Sequence, residues 1–172
     1  MDEGMSQEDW HVREVYAYFG LAMYHAQVLE HGIVNLVVWT GVGDGTYRTY
    51  AETEAANKEL FSRSMDRIRT VLLKRRTDLT HLEGDLLKAL RLRNFLAHDY
   101  FRERSAAALE SLGRDHMLTE LRLAVELFRE VDAKLVPLTR AILMAKGIGA
   151  AEMAEALDAC RAADFGAPLP GL

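Results

Sequence analysis

Apolar residues recur at steps of three and four along most of this chain, and no segment alternates with period two for long enough to make a strand. That rhythm marks helices with one face turned to a core. It restricts the chain to an all-α fold, a bundle of four to five main helices. The first helix is expected to start at Ser6, where Ser6 and Asp9 have capping-box spacing. It should run to about Trp39 along the stripe Val12, Val15, Tyr16, Phe19, Met23, Ala26, Leu29, Ile33 and Leu36. Glycines at 41, 43 and 45 then predict a loop, and with no strand before them they do not form a dinucleotide-binding turn. Thr49 and Glu52 make the next capping box. They open a helix through Ala56, Leu60, Met65, Ile68, Val71 and Leu72 that should end around residues 74–77, where basic side chains suit the negative end of the helix dipole.

Thr80 and Glu83 give a third capping box and predict a helix ending near His98. A short, broken helical stretch over residues 105–112 should be closed by Gly113. The fourth long helix is expected from about Asp115 to Lys146, with Leu118, Leu121, Val125, Phe128, Val131, Leu135, Leu138 and Ile142 inward. Pro137 should kink or split it, because proline removes a donor and clashes with the preceding turn. After Gly147 and Gly149 a small helix over residues 150–163 follows, then a loose tail over 166–172. Residues 1–147 thus make the bundle. Residues 148–172, a short C-terminal helix and tail, belong to the same domain.

A length of 172 residues fits one domain with a core that needs neither disulfide nor metal. The single cysteine, Cys160, excludes an internal disulfide and reads as a small packing residue in a reducing compartment. Residues 1–9 lack the basic start and apolar run of a signal peptide. The most apolar stretch, residues 33–42, is too short to cross a bilayer. The expectation is a cytoplasmic protein without a membrane partner.

The net charge of −5 argues against a general nucleic-acid binder. The distribution is uneven, however. Residues 63–104 hold 11 Lys or Arg against 6 Asp or Glu, while the rest of the chain holds 10 against 20. A basic middle of this kind is either a phosphate-binding surface or a set of solvated faces balanced by acidic neighbours.

The third helix breaks the amphipathic pattern. Leu86, Leu87, Ala89, Leu90, Leu92, Phe95, Leu96 and Ala97 surround it on nearly all sides, which predicts burial. Arg93, Asn94 and His98 sit inside that run. Arg93 shares a stripe with Leu86, Leu90 and Ala97, so its charge must be paired or must face a cleft. Asn94 and His98 are four apart and share a face. Arg93 and His98 are five apart, about 140° around a helix of 3.6 residues per turn. They converge only where the helix frays or where a second subunit completes the site.

The segment from Arg93 through Asn94, Phe95, Leu96, Ala97, His98 and Asp99 to Tyr100 resembles the HEPN superfamily signature, an Arg followed by four to six residues and a His, here with Tyr two residues on. The resemblance covers residues 7–146. It implies a HEPN-like bundle forming a homodimer whose motif helices face each other across a cleft. Many such domains are metal-independent endoribonucleases, and several are toxins paired with a nucleotidyltransferase antitoxin. Others are noncatalytic dimerisation or binding scaffolds for a protein, a nucleotide or RNA. On the catalytic reading the resemblance gives Arg93 and His98 the reaction, with Asn94, Tyr100, Arg91 and Arg102 supporting it or holding substrate, and implies neither cofactor nor metal. A ribose 2′-hydroxyl would attack the adjacent phosphate. His98 would move a proton, since imidazole as a side-chain type titrates near neutrality, and Arg93 would stabilise the phosphorane. Tyr100, at a solvent-facing rim, would be where an antitoxin attaches AMP.

Other polar residues suggest less. Glu8 and His11 have a metal-ligand spacing with no second pair to complete a di-metal bundle. His25 and His31, six apart, are poorly spaced to share a metal. His81 and His116 read as surface residues, Lys74, Arg75 and Arg76 as a solvated helix end, and Trp10, Tyr16 and Tyr18 as core or dimer contacts.

Overall fold

A computed structural model of the chain describes residues 7–164, with side chains from 8 to 159. Eight α-helices follow one another among the described residues: α1 (Gln7–Gly43), α2 (Tyr50–Phe61), α3 (Met65–Arg75), α4 (Glu83–His98), α5 (Tyr100–Glu103), α6 (Ser105–Ala108), α7 (Ser111–Ala145) and α8 (Ala150–Asp164). A 3-10 turn, Thr77–Leu82, connects α3 to α4, and no strand occurs among the described residues. No helix among them is long and apolar enough to cross a membrane.

The frame is the pair α1 and α7. They run parallel, as contacts of Glu8 with Arg114, His11 with Asp115, and Gly32 with Asp132 show. At about 1.5 Å per residue each exceeds 50 Å in length. The expected stripes fill the space between them. Ala26, Leu29, Ile33 and Leu36 of α1 and Leu121, Phe128, Val131 and Leu135 of α7 are all buried. Helices α2, α3, α4 and α6 pack against this pair. In α4, which runs antiparallel to both, Arg93 reaches Glu30 on α1 and Asp85 meets Lys134 on α7. The small helix α8 starts where expected and is mostly exposed.

Ser6, the expected cap of the first helix, lies outside the described residues. The helix ends later than expected, because Gly41 and Gly43 stay helical. Gly41 is there for space: a Cβ at this position would lie 2.4 Å from the Tyr47 ring and 2.7 Å from the Arg75 guanidinium. The turn falls instead at Gly45, whose φ of 79° is left-handed.

The single helix expected over residues 49–77 is two helices. Leu60 and Met65 are both buried but five apart, a step no continuous stripe accommodates. The chain resets its phase at residues 62–64, where Ser64 is extended and begins α3. Ahead of this break the Thr49 and Glu52 capping box forms as expected, each side chain accepting from the other's backbone N–H. Thr49→Ala should therefore lower unfolding stability by about 1 kcal/mol, read as a lower denaturant midpoint with unchanged slope.

The third capping box is absent. Thr80 lies inside the 3-10 turn and donates to the Thr77 carbonyl, and Glu83 accepts from Arg69. Leu79 and Leu82 decide this: side chains three apart eclipse in a 3-10 helix, and here both are buried. Gly113 does not close a helix either. It sits in the first turn of α7, where a Cβ would fall 2.1 Å from the Ala107 carbonyl oxygen, so only glycine lets α6 lie this close. Pro137 does not split α7. The carbonyl it leaves without a donor belongs to Ala133, an exposed residue, so water can satisfy it. The helix ends in a Schellman motif, with Gly147 at φ 80° and the Ile148 amide donating to Leu143 O at 3.0 Å.

Candidate functional site

The helix α4 is not buried all round. Leu86, Ala89, Leu90 and Leu96 face the core, while Arg91, Asn94 and His98 are exposed. Leu87, Arg91, Asn94 and His98 follow at steps of four, three and four, so they form one open stripe. The helix stops at His98 because Asp99 leaves helical geometry, at φ −124° and ψ −21°. The chain then turns into α5.

Arg93 lies on the opposite, inward side, where its charge is paired. Its guanidinium stands 3.5 Å from Glu30 of α1, with side chains 29% and 18% exposed, and donates to Asn94 Oδ1 at 3.2 Å. Glu30 is a member of the site that spacing could not reveal, since it lies on another helix. Its only sequence signal is a carboxylate between the buried Leu29 and Ile33.

Within one chain, then, Arg93 and Asn94 meet. The open stripe groups Asn94 with Arg91 and His98. The His98 and Arg91 side chains make no hydrogen bond or ion pair with the described residues. Arg102 is exposed and held by Asp99 at 2.6 Å and Glu103 at 3.3 Å.

Tyr100 departs most from expectation. It is 1% exposed rather than at a rim, and its hydroxyl donates to Met117 O at 3.2 Å. Phe19 stacks on its ring, and Phe95 and Phe101 meet it edge-on. The hydroxyl also lies 3.5 Å from Glu120, which Arg104 grips through two bonds of 2.8 and 2.7 Å. The Arg104 grip holds the Glu120 carboxyl below its ordinary range, against the opposing effect of burial. Burial, and then the Glu120 charge, push the Tyr100 hydroxyl well above its ordinary pKa. This network pins the corner that presents His98. Arg104, in the turn between α5 and α6, and Glu120 of α7 are sixteen residues apart, so no local spacing announces it.

Most of the basic segment is neutralised inside the chain. Arg63 pairs with Glu59, Arg69 with Asp66 and Glu83, Arg76 with Asp78, Arg93 with Glu30, Arg102 with Asp99, and Arg104 with Glu120. Arg75 lies over the Tyr47 ring. The open charges are fewer than the sequence total implies, and Arg91 is one of them. A groove of about 480 Å³ runs between α4 and α7, walled by Leu92, Phe95, Leu123 and Leu127, with Lys88 and Glu130 at its edges. Neither Arg93 nor His98 lines it.

Of the other candidates, Glu8 and His11 are engaged by Arg114 and Asp115. His81 and His116 are exposed, as expected. Trp10 and Tyr16 are 55% and 60% exposed and so are not core, whereas Tyr18 is half-buried beneath Arg122. The Cys160 side chain lies outside the described residues. Comparisons of the chain with family models, with curated proteins and with solved structures return no match.

Proposed function

We propose that this chain is a HEPN-type helical protein that acts on RNA as a homodimer, cleaving it without metal through Arg93 and His98. The observation that carries this reading is the exposed stripe at the end of α4. An arginine, an amide and an imidazole stand there in one row, and neither Arg91 nor His98 is engaged by another described residue. Side chains that hold no partner in the fold are available to a ligand. In the reaction, the ribose 2′-hydroxyl attacks the neighbouring phosphorus and the bond to the 5′-oxygen breaks. The products carry a 2′,3′-cyclic phosphate and a 5′-hydroxyl. His98 transfers the proton, and guanidinium groups offset the charge gained by the phosphorane.

Arg93 stands about 140° from His98 around the helix. A two-fold partner would bring a second motif helix to the same cleft, which supports the dimeric form of the reading. One observation favours the noncatalytic scaffold as a second reading: Arg93 already has a carboxylate partner in Glu30. Regulation by AMP attachment at Tyr100 has no support, because the hydroxyl is enclosed.

The test is direct. Purified protein incubated with end-labelled RNA and excess EDTA should produce fragments ending in 2′,3′-cyclic phosphate. Light scattering at micromolar concentration should give twice the chain mass. Binding without cleavage, weakening steeply with salt as counterions are released, would select the scaffold. A monomer would remove the paired-site mechanism.

A further inference from the structure

Away from α4, the groove between α1 and α7 holds a carboxylate with no hydrogen bond or ion pair among the described residues. Asp132 of α7 is half-buried and lies over Gly32 of α1, so close that a Cβ at position 32 would fall 2.7 Å from its Oδ1. The absent side chain at Gly32 is what admits the acid. Asp132 forms no hydrogen bond and no ion pair with the described residues. Arg129, one turn earlier on the same helix, lines one side of the groove with His25 but forms no ion pair with Asp132, and His25 acts on it without a hydrogen bond. Burial holds the Asp132 carboxyl above its ordinary range. Two open grooves of about 440 and 420 Å³ meet at this residue and share Tyr24, Val28 and Val136 as walls. The Tyr24 ring is 59% exposed and Val136 52% exposed.

We propose that this groove binds an organic cation, a primary ammonium or guanidinium group that pairs with Asp132 while its alkyl arm lies between Val28 and Val136. The chemistry follows from the walls. A partly desolvated carboxylate without an internal partner gains more from a charged donor than a carboxylate in water does. An exposed tyrosine face beside it attracts the same cation through its ring quadrupole. Two valines suit a short hydrocarbon chain. The site lies away from the α4 stripe and does not depend on the reaction proposed there.

The experiment uses the whole chain, labelled with 15N, and two probes. Agmatine represents a free amine and guanidine. A capped Gly-Arg-Gly peptide represents an arginine side chain of a partner protein. Saturable shifts at the Gly32 and Asp132 amides with either probe support the site, and the tighter probe identifies the source. Asp132→Asn keeps the side-chain shape and removes the unpaired charge, so it should melt no lower than the wild type. It should weaken binding at least tenfold. Tyr24→Ala, at an exposed position, should weaken it about two- to fivefold. The proposal is overturned if neither probe shifts these amides, if Asp132→Asn binds equally well, or if uncharged N-butylacetamide binds as tightly as agmatine.

Discussion

His98→Ala is expected to slow RNA cleavage by about 10²- to 10⁴-fold, the range for losing a positioned proton-transfer group. It should leave the melting temperature within about 1 °C, because an exposed side chain without partners contributes little to stability. Arg93→Ala should reduce the rate comparably, by about 10²- to 10³-fold, but its effect on stability differs. Removing Arg93 leaves the carboxylate of Glu30, 18% exposed, without its cation. The resulting loss of about 1–2 kcal/mol corresponds to a fall of roughly 3–6 °C in a chain of this size. A second substitution separates the two effects. In the Arg93→Ala, Glu30→Gln double variant, stability should largely return while cleavage stays lost. Recovery of both together would mean that Arg93 serves only to hold the fold. Full activity in His98→Ala would end the mechanistic reading altogether.

The open stripe also puts Arg91 on the same face as His98, two turns earlier, where the sequence motif emphasises Arg93. In one chain, Arg91 has no ion pair among the described residues and would meet phosphate as it stands, whereas Arg93 would have to exchange Glu30 for it. These are different tasks. A free surface arginine increases encounter with RNA and makes binding salt-dependent. A guanidinium held by a neighbouring acid is preoriented, and it stabilises charge that appears only in the transition state.

What the sequence revealed about this molecule was set by which interactions are local. The stripes of α1 and α7 were legible because one helical face repeats the same requirement over thirty or more residues. The Thr49 and Glu52 cap was legible because both partners lie within one turn. Thr80 and Glu83 have the same spacing and failed, because the buried pair Leu79 and Leu82 called for a tighter turn. Gly41 and Gly113 looked like punctuation. Their purpose, close approach of Tyr47 and of the Ala107 carbonyl, depends on partners from other elements. The split between α2 and α3 did leave a trace, the step of five from Leu60 to Met65. At the site, the shared face of Asn94 and His98 followed from helical geometry, whereas its exposure did not, because the surrounding apolar run predicts burial. Glu30, Glu120 and the enclosure of Tyr100 did not, since each depends on how α4 and α5 dock against distant helices.

Tyr100 is where that docking can be measured. Its ring is fully buried among Phe19, Phe95 and Phe101, so Tyr100→Ala opens a cavity in the corner between α4 and α7. The expected loss is about 3–5 kcal/mol, a fall of roughly 10 °C in melting temperature. Tyr100→Phe keeps the ring and deletes only the hydroxyl, for a loss of about 1 kcal/mol at neutral pH. The two proteins should then respond differently to alkali. Burial, reinforced by the Glu120 charge, raises the Tyr100 pKa in the folded state above its ordinary value of 10.0. The folded chain therefore keeps this proton when the unfolded chain begins to release it. The stability contributed by the neutral phenol is complete below pH 10 and is lost progressively as the pH rises above it. Wild-type protein should lose stability above pH 10 faster than Tyr100→Phe, so the gap between them should narrow in alkaline melting curves. Parallel curves would mean that the hydroxyl ionises freely in the folded protein, which is incompatible with its enclosure. Cleavage by Tyr100→Phe should stay within a few-fold of wild type, since the hydroxyl is enclosed and out of reach of a bound ligand.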